Sequence, residues 1–265
     1  MKNYEMIDDE AGVSVGYLLY YEKSNTFIIE LNSGIDEWSS PILFSGLVKN
    51  NQYTVPRDIS RMWVAERVIP SGRQNIGSIL SNHNLKVYDE LKFLEIADGR
   101  CSQDSIYIKR QTELPEYIKK RQKKNLTECY VSDDGYLLCF FRNNVVKKVE
   151  LCDLVSCEFI DKLQTNPALF RSEKVGTDGY FLTFDDTYDI MSSELYHAGQ
   201  EIPLSLNDFS GFVNRNIWDT TDSCRELECS RQNISYLIKH NHLTPVKGEV
   251  KGSLFLKGNV LSMKW

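Results

Sequence analysis

The sequence predicts an α+β fold: two small mixed α+β domains followed by a compact C-terminal unit of short helices and a hairpin. Three observations point there. Short β-prone runs alternate with stretches whose apolar residues recur at i, i+3 and i+4. Gly, Asn, Asp and Pro clusters punctuate them at short intervals. Near the end two short helices follow one another with almost no connection, and two apolar runs bounded by Gly248 and Gly252 come after.

At 265 residues the chain has room for two or three cores. No apolar run approaches the roughly 20 residues that span a bilayer. Met1 to Glu10 is acidic and carries no hydrophobic signal core, so a cytoplasmic protein without membrane contact is expected. The net charge is −6, which argues against a general nucleic-acid coat protein. Eight Lys/Arg against six Asp/Glu from Leu206 onward leave the first 205 residues at −8. That division fits a local DNA reader on an acidic body. The seven cysteines are odd in number and scattered through apolar runs, as reduced packing residues would be. Cys152/Cys157 and Cys224/Cys229 lack a histidine in finger-like register, so no metal and no other cofactor is expected.

Taken in order, Val13 to Leu31 is a hairpin with its turn at Lys23-Ser-Asn25. Asp58 to Ile69 has helical spacing through Ile59, Met62, Trp63 and Glu66, and Pro70 ends it. A second helix is expected from Gly72 to His83, burying Ile76, Ile79 and Leu80. A third runs from Tyr88 to Ala97 with Leu91, Phe93, Leu94 and Ile96, stopped by Gly99. Val68-Ile-Pro-Ser-Gly-Arg73, Tyr88-Asp-Glu-Leu-Lys-Phe-Leu94 and Gly99-Arg-Cys-Ser-Gln-Asp-Ser-Ile106 occur in the order found in the small N-terminal subdomain of HipA-type toxin kinases. Residues 13 to 110 resemble that subdomain, with Ser71 in place of its usual acid. The resemblance implies a surface that sits on a kinase core carried by another chain. Arg73-Gln-Asn-Ile76 repeats Arg231-Gln-Asn-Ile234, but neither a helix partner nor a wing flanks it, and the repeat is read as coincidence. Leu114 to Asn125 is Pro-bearing and basic, a charge run of the kind that forms a solvated linker or helix face rather than a DNA-contacting arm.

In the middle, Cys129 to Arg142 reads as a strand, Asn143-Asn144 as a turn and Val145 to Leu151 as an alternating strand with Val146, Val149 and Leu151 buried. A helix-turn from Phe159 to Phe170 follows, then strands at Val175 to Thr183 and Tyr188 to Met191 around Asp185-Asp186. Leu138-Cys-Phe140, Val149-Glu-Leu-Cys-Asp-Leu154, Leu163 to Phe170, Gly179 to Asp185 and Tyr188 to Tyr196 resemble a small bacterial domain of unknown function. The resemblance implies no activity; some members of that family lie beside toxin genes or carry a DNA-binding domain. The expected organisation is thus 1–115, a basic linker 116–126, 127–205 and 206–265.

The C-terminal segment is the most informative. Ser230 can cap a helix through the Asn233 amide, and Ile234, Leu237 and Ile238 give that helix one apolar stripe. Asp222 to Glu228 is another short helix, with Ser223 and Glu226 in capping-box spacing. The tight Glu228-Cys-Ser230 connection is helix-turn-helix punctuation. Trp218 to Trp265, with a Ser-Arg-Gln helix, Leu243 to Lys247, Ser253 to Lys257 and the closing Val260 to Trp265, resembles the winged helix-turn-helix domains of the excisionase and MerR-like class. Asn241 stands near the position of that pattern's glycine and tolerates left-handed backbone. Arg231, Gln232 and Asn233 suit base edges in the major groove, Arg pairing with guanine and Gln or Asn with adenine. Tyr236, Lys239, Lys247, Lys251 and Lys257 suit phosphates. A homodimer on paired half-sites of double-stranded DNA would match a domain of this size.

No catalytic motif is recognisable: there is no Walker loop, no G-x-S-x-G and no H-E-x-x-H. Asp98-Gly-Arg100 is not a D-F-G. The reading is therefore a non-enzymatic DNA-binding transcriptional regulator, the antitoxin and autorepressor of a HipA-type kinase. The alternatives are an adaptor that contacts proteins only, and an enzyme using Asp133, Asp134, Asp185 and Asp186, which would have to converge in one cleft.

Overall fold

The computed structural model describes residues 1–155, 157–203, 206–250 and 252–264. The fold is mixed α+β with antiparallel sheets, and the chain divides into two compact units, 1–118 and 119–265.

In the first unit the element order is β1 (Lys2–Asp8), β2 (Val13–Tyr21), β3 (Thr26–Leu31), α1 (Ile42–Lys49), β4 (Thr54–Val55), α2 (Arg57–Ala65), α3 (Ile76–Asn82), α4 (Glu90–Ile96) and β5 (Ile106–Gln111). The strands form one five-stranded sheet in the order β4-β3-β2-β1-β5. The expected hairpin is β2–β3, registered Tyr21↔Thr26, with Asn25 left-handed in its turn. Its core takes Met6, Leu18, Ile29, Phe44, Trp63, Val64 and Leu94. Helix α2 ends earlier than the spacing suggested. Beyond it Arg67 is buried, stacks 3.8 Å over the Trp63 ring and pairs with Asp104. Helix α3 buries none of its residues: Ile76, Ile79 and Leu80 are only half-covered. The Arg73-Gln-Asn-Ile76 repeat has no helical counterpart to Arg231, since Arg73 lies in a turn ahead of α3.

Helix α5 (Glu116–Gln122) spans the boundary, and the second unit goes on with β6 (Leu126–Val131), β7 (Tyr136–Phe141), β8 (Val146–Glu150), α6 (Glu158–Thr165), α7 (Pro167–Phe170), β9 (Glu173–Val175), β10 (Phe181–Phe184), β11 (Tyr188–Met191), α8 (Ser192–Ala198), β12 (Gln200–Glu201), α9 (Leu206–Asn216), β13 (Ile217–Asp219), α10 (Thr220–Glu226), α11 (Arg231–Lys239), β14 (Lys247–Val250), β15 (Gly252–Leu256) and α12 (Lys257–Leu261). The basic run, expected as a solvated linker or helix face, is the helix α5, within which the unit boundary falls, followed by a turn into β6; Lys119, Lys120, Lys123 and Lys124 are exposed. Asn125, at that turn, is 3% exposed and donates its side-chain amide to the Asp178 carbonyl at 3.0 Å. The single strand expected over Cys129 to Arg142 is a hairpin, because Gly135 supplies the φ of 85° that reverses it. Val149 and Leu151 are buried as expected, whereas Val146 is half-covered.

Residues 127–205 and 206–265, expected as separate domains, share this one unit. The reason is the second face of the sheet β12-β8-β7-β6. One face, with Cys129, Val131, Leu137, Cys139 and Val149, packs into the middle core. A bulge between Leu126 and Glu128 resets β6, and Glu128 then meets α12, accepting the Gly258 N–H at 2.7 Å. On β7, the Phe140 ring packs tilted against that of Phe212 of α9, centroids 4.7 Å apart, and Tyr136 bonds Asp208. Arg215 of α9 donates to the Val131 carbonyl at 2.9 Å.

Candidate nucleic-acid interface

Strand β13 leads into α10, and Asp219 is the residue that starts it. Its carboxylate accepts the Asp222 N–H at 2.8 Å, and Asp222 bonds back to the Asp219 N–H, completing a capping box. The box expected at Ser223 and Glu226 is displaced by one turn. Ser223 is buried inside the helix, and Glu226 pairs with Lys264 at 2.5 Å. Glu228, at φ 50°, turns the chain into α11. Ser230 caps α11 by accepting the Asn233 N–H at 3.4 Å, as the sequence indicated. Asn241 takes φ 58° at the far end, again as read from sequence.

Helix α11 is held by a small core of Ile234, Leu243, Phe255 and Val260, with Trp218, Leu227, Leu237 and Ile238 packed around it. β13, β15 and β14 form a three-stranded antiparallel sheet in that order. Trp218 pairs with Phe255, and Ser253 N–H donates to Thr220 Oγ1 at 3.3 Å, joining the hairpin to the start of α10. The strands reach into the stretch between Gly248 and Gly252 that the sequence assigned to a turn.

This scaffold leaves one face of α11 outside. Arg231, Gln232, Asn233, Ser235, Tyr236 and Lys239 are all exposed. Arg231 is not loose: its guanidinium donates to Thr221 Oγ1 of α10 at 3.3 Å. The Tyr236 ring lies 4.0 Å from that of His240, whose Nδ1 is 2.9 Å from the Tyr236 carbonyl. His240 and Thr221 were missed in sequence; the i, i+4 spacing of Tyr236 and His240 was the available signal. Lys247 is exposed at the start of β14. Lys251 lies outside the described residues. Lys257 directly follows β15. It opens α12 half-buried, and its charge acts on the buried carboxyls of Glu128 and Glu173.

Those carboxyls form a second polar feature of the unit. Burial pushes Glu128 up, against the pull of Lys257 and of the N–H groups of Cys129 and Gly258. Burial likewise raises Glu173 to about 7, opposed by Lys257 and Arg215 and assisted by Glu128. The four turn aspartates do different work, Asp134 donating its backbone N–H to Ser132 Oγ at 3.1 Å. Asp133 pairs with Arg171 and Asp186 with Lys174, each at 2.8 Å, while Asp185 has left-handed backbone in the β10–β11 turn. Two clefts are lined by Asp133, of about 290 and 370 Å³, and neither includes Asp134, Asp185 or Asp186. Among the described residues no group of three His, Cys, Asp or Glu could hold a metal ion, and no helix is long and apolar enough to cross a membrane. Cys152 and Cys157, expected to pack inside, are exposed.

Comparison of the chain with protein-family models, with curated proteins and with solved structures found no match.

Proposed function

We propose that the chain is a DNA-binding transcriptional regulator that reads double-stranded DNA through α11. The observation that carries this reading is the polar exposed face of α11 beside an apolar stripe fixed by Ile234. Arg231, Gln232 and Asn233 occupy its first turn, where a helix entering the major groove presents side chains to base edges. Tyr236, Lys239 and Lys247 serve as phosphate contacts, and the β14–β15 hairpin as the wing. In this reading the protein works as a cytoplasmic homodimer, without catalysis or cofactor.

The first unit is the docking part in the same proposal, with a HipA-type kinase as the partner and the pair acting as toxin and antitoxin. What supports a protein contact there is exposed apolar surface: Trp38 is 88% and Ile42 94% exposed. The same surface supports the adaptor reading, in which α11 contacts no DNA.

Fluorescence anisotropy on the DNA upstream of the protein's own gene separates the two. Wild type is compared with Arg231→Ala/Gln232→Ala/Asn233→Ala across a salt series. The regulator prefers this DNA over random duplex; the triple variant loses the preference while Lys239 and Lys247 keep most of the salt slope. No preference in wild type leaves the adaptor.

A further inference from the structure

The turn between α10 and α11 has a cysteine at each end, Cys224 and Cys229. Two backbone bonds close it: Cys229 N–H donates to the Cys224 carbonyl at 3.0 Å, and Glu228 N–H to that of Arg225 at 3.4 Å. With Glu228 left-handed, this is the six-to-one and five-to-two pair that ends a helix in a Schellman motif. In that motif an apolar contact between the residues at the two ends of the six-to-one bond is frequent. Here both are cysteine. A six-to-one bond of this length brings the Cα atoms to the separation that disulfides span, about 4.4–6.8 Å. Burial raises the Cys224 thiol, and the neighbouring Cys229 adds to the rise. Both residues are half-buried on the core around Ile234, neither sealed off nor fully in solvent.

We propose that Cys224 and Cys229 form a reversible dithiol–disulfide site that links α10 covalently to α11, with small-molecule disulfides as the oxidant. One thiolate attacks a sulfur of the incoming disulfide, whose S–S bond breaks and releases one thiol. The second cysteine, losing its proton, attacks the mixed disulfide and expels the other thiol. Both protein sulfurs are oxidised, and the small disulfide is reduced to two thiols. The site concerns the turn rather than the exposed face of α11, so it stands apart from DNA reading. The chain supplies its own contrast. Cys129 and Cys139 also lie close, Sγ to Sγ 3.9 Å, but at 1% and 0% exposure they are shut away from any oxidant.

The test uses the full chain with Cys101→Ser, Cys152→Ser and Cys157→Ser, alongside wild type. Both are equilibrated in glutathione buffers of stepped redox ratio, quenched in acid, alkylated and digested with trypsin. Cleavage after Arg215, Arg225 and Arg231 puts Cys224 and Cys229 on separate peptides, so their disulfide appears as a linked pair. The expected result is a linked pair that reaches about tenfold excess over the two alkylated peptides in oxidising buffer and disappears with dithiothreitol. Cys129 and Cys139 should stay reduced throughout. The proposal is overturned if Cys224 and Cys229 remain free, or each carry glutathione without linking, across the whole series.

Discussion

Glu173 and Gly258 carry the sharpest residue-level consequences. Glu173 is 8% exposed on β9, its Oε2 has no hydrogen-bond partner among the described residues, and its pKa is raised to about 7. A carboxyl raised in the folded state favours folding while protonated. That contribution is complete below the unfolded pKa and is lost as pH rises to about 7. Glu173→Gln, which stays neutral, should therefore gain stability over wild type between pH 5 and pH 8, by up to about 3 kcal/mol in urea denaturation. An equal difference at both pH values would contradict this. At Gly258 an added Cβ would meet the Thr127 carbonyl oxygen at 2.5 Å and Glu128 Oε2 at 2.9 Å. Gly258→Ala should destabilise the second unit by about 1–3 kcal/mol, read as a lower thermal midpoint. None of this was legible in sequence. Glu128 meets the Gly258 N–H across 130 positions, and no local pattern marks Lys257 as the neighbour of two buried acids.

At the level of elements, what local chemistry controls could be read and what distant pairing controls could not. Helix α11 was legible because its cap, its apolar stripe and its left-handed end all lie within a dozen residues. Helix α10 was legible as a helix but not in its start. Two acids three apart, Asp219 and Asp222, outcompeted the Ser223–Glu226 pair, since Ser223 is needed inside. Asp219→Ala should accordingly cost about 1 kcal/mol, measured by denaturation of the full chain. A cost well below that would place the cap elsewhere. Strands β1, β5 and β13 went unread. Each acquires its identity from a partner elsewhere in the chain: β5 pairs with β1 as Met6↔Ile108, and β13 with β15 as Trp218↔Phe255.

For the whole molecule, sequence marked three domains and a linker where the structure has two compact units. The segment from Leu206 looks self-contained because its own small core is complete around Ile234. Yet α9 and α12 bind the sheet through Phe212, Arg215 and Gly258. Residues 119–265 should therefore melt as one cooperative transition, and 206–265 alone should give none in a calorimeter. Independent melting of the shorter piece would contradict the shared unit.

The central claim is that α11 reads base pairs, and selection from a pool of random duplexes tests it most directly. The account predicts that wild type enriches one motif, and that Arg231→Ala, Gln232→Ala and Asn233→Ala each relax it at a separate position, by about 1–3 kcal/mol of discrimination apiece. A pool that emerges from wild type without any enriched motif would contradict the claim, and α11 would then be a surface for protein.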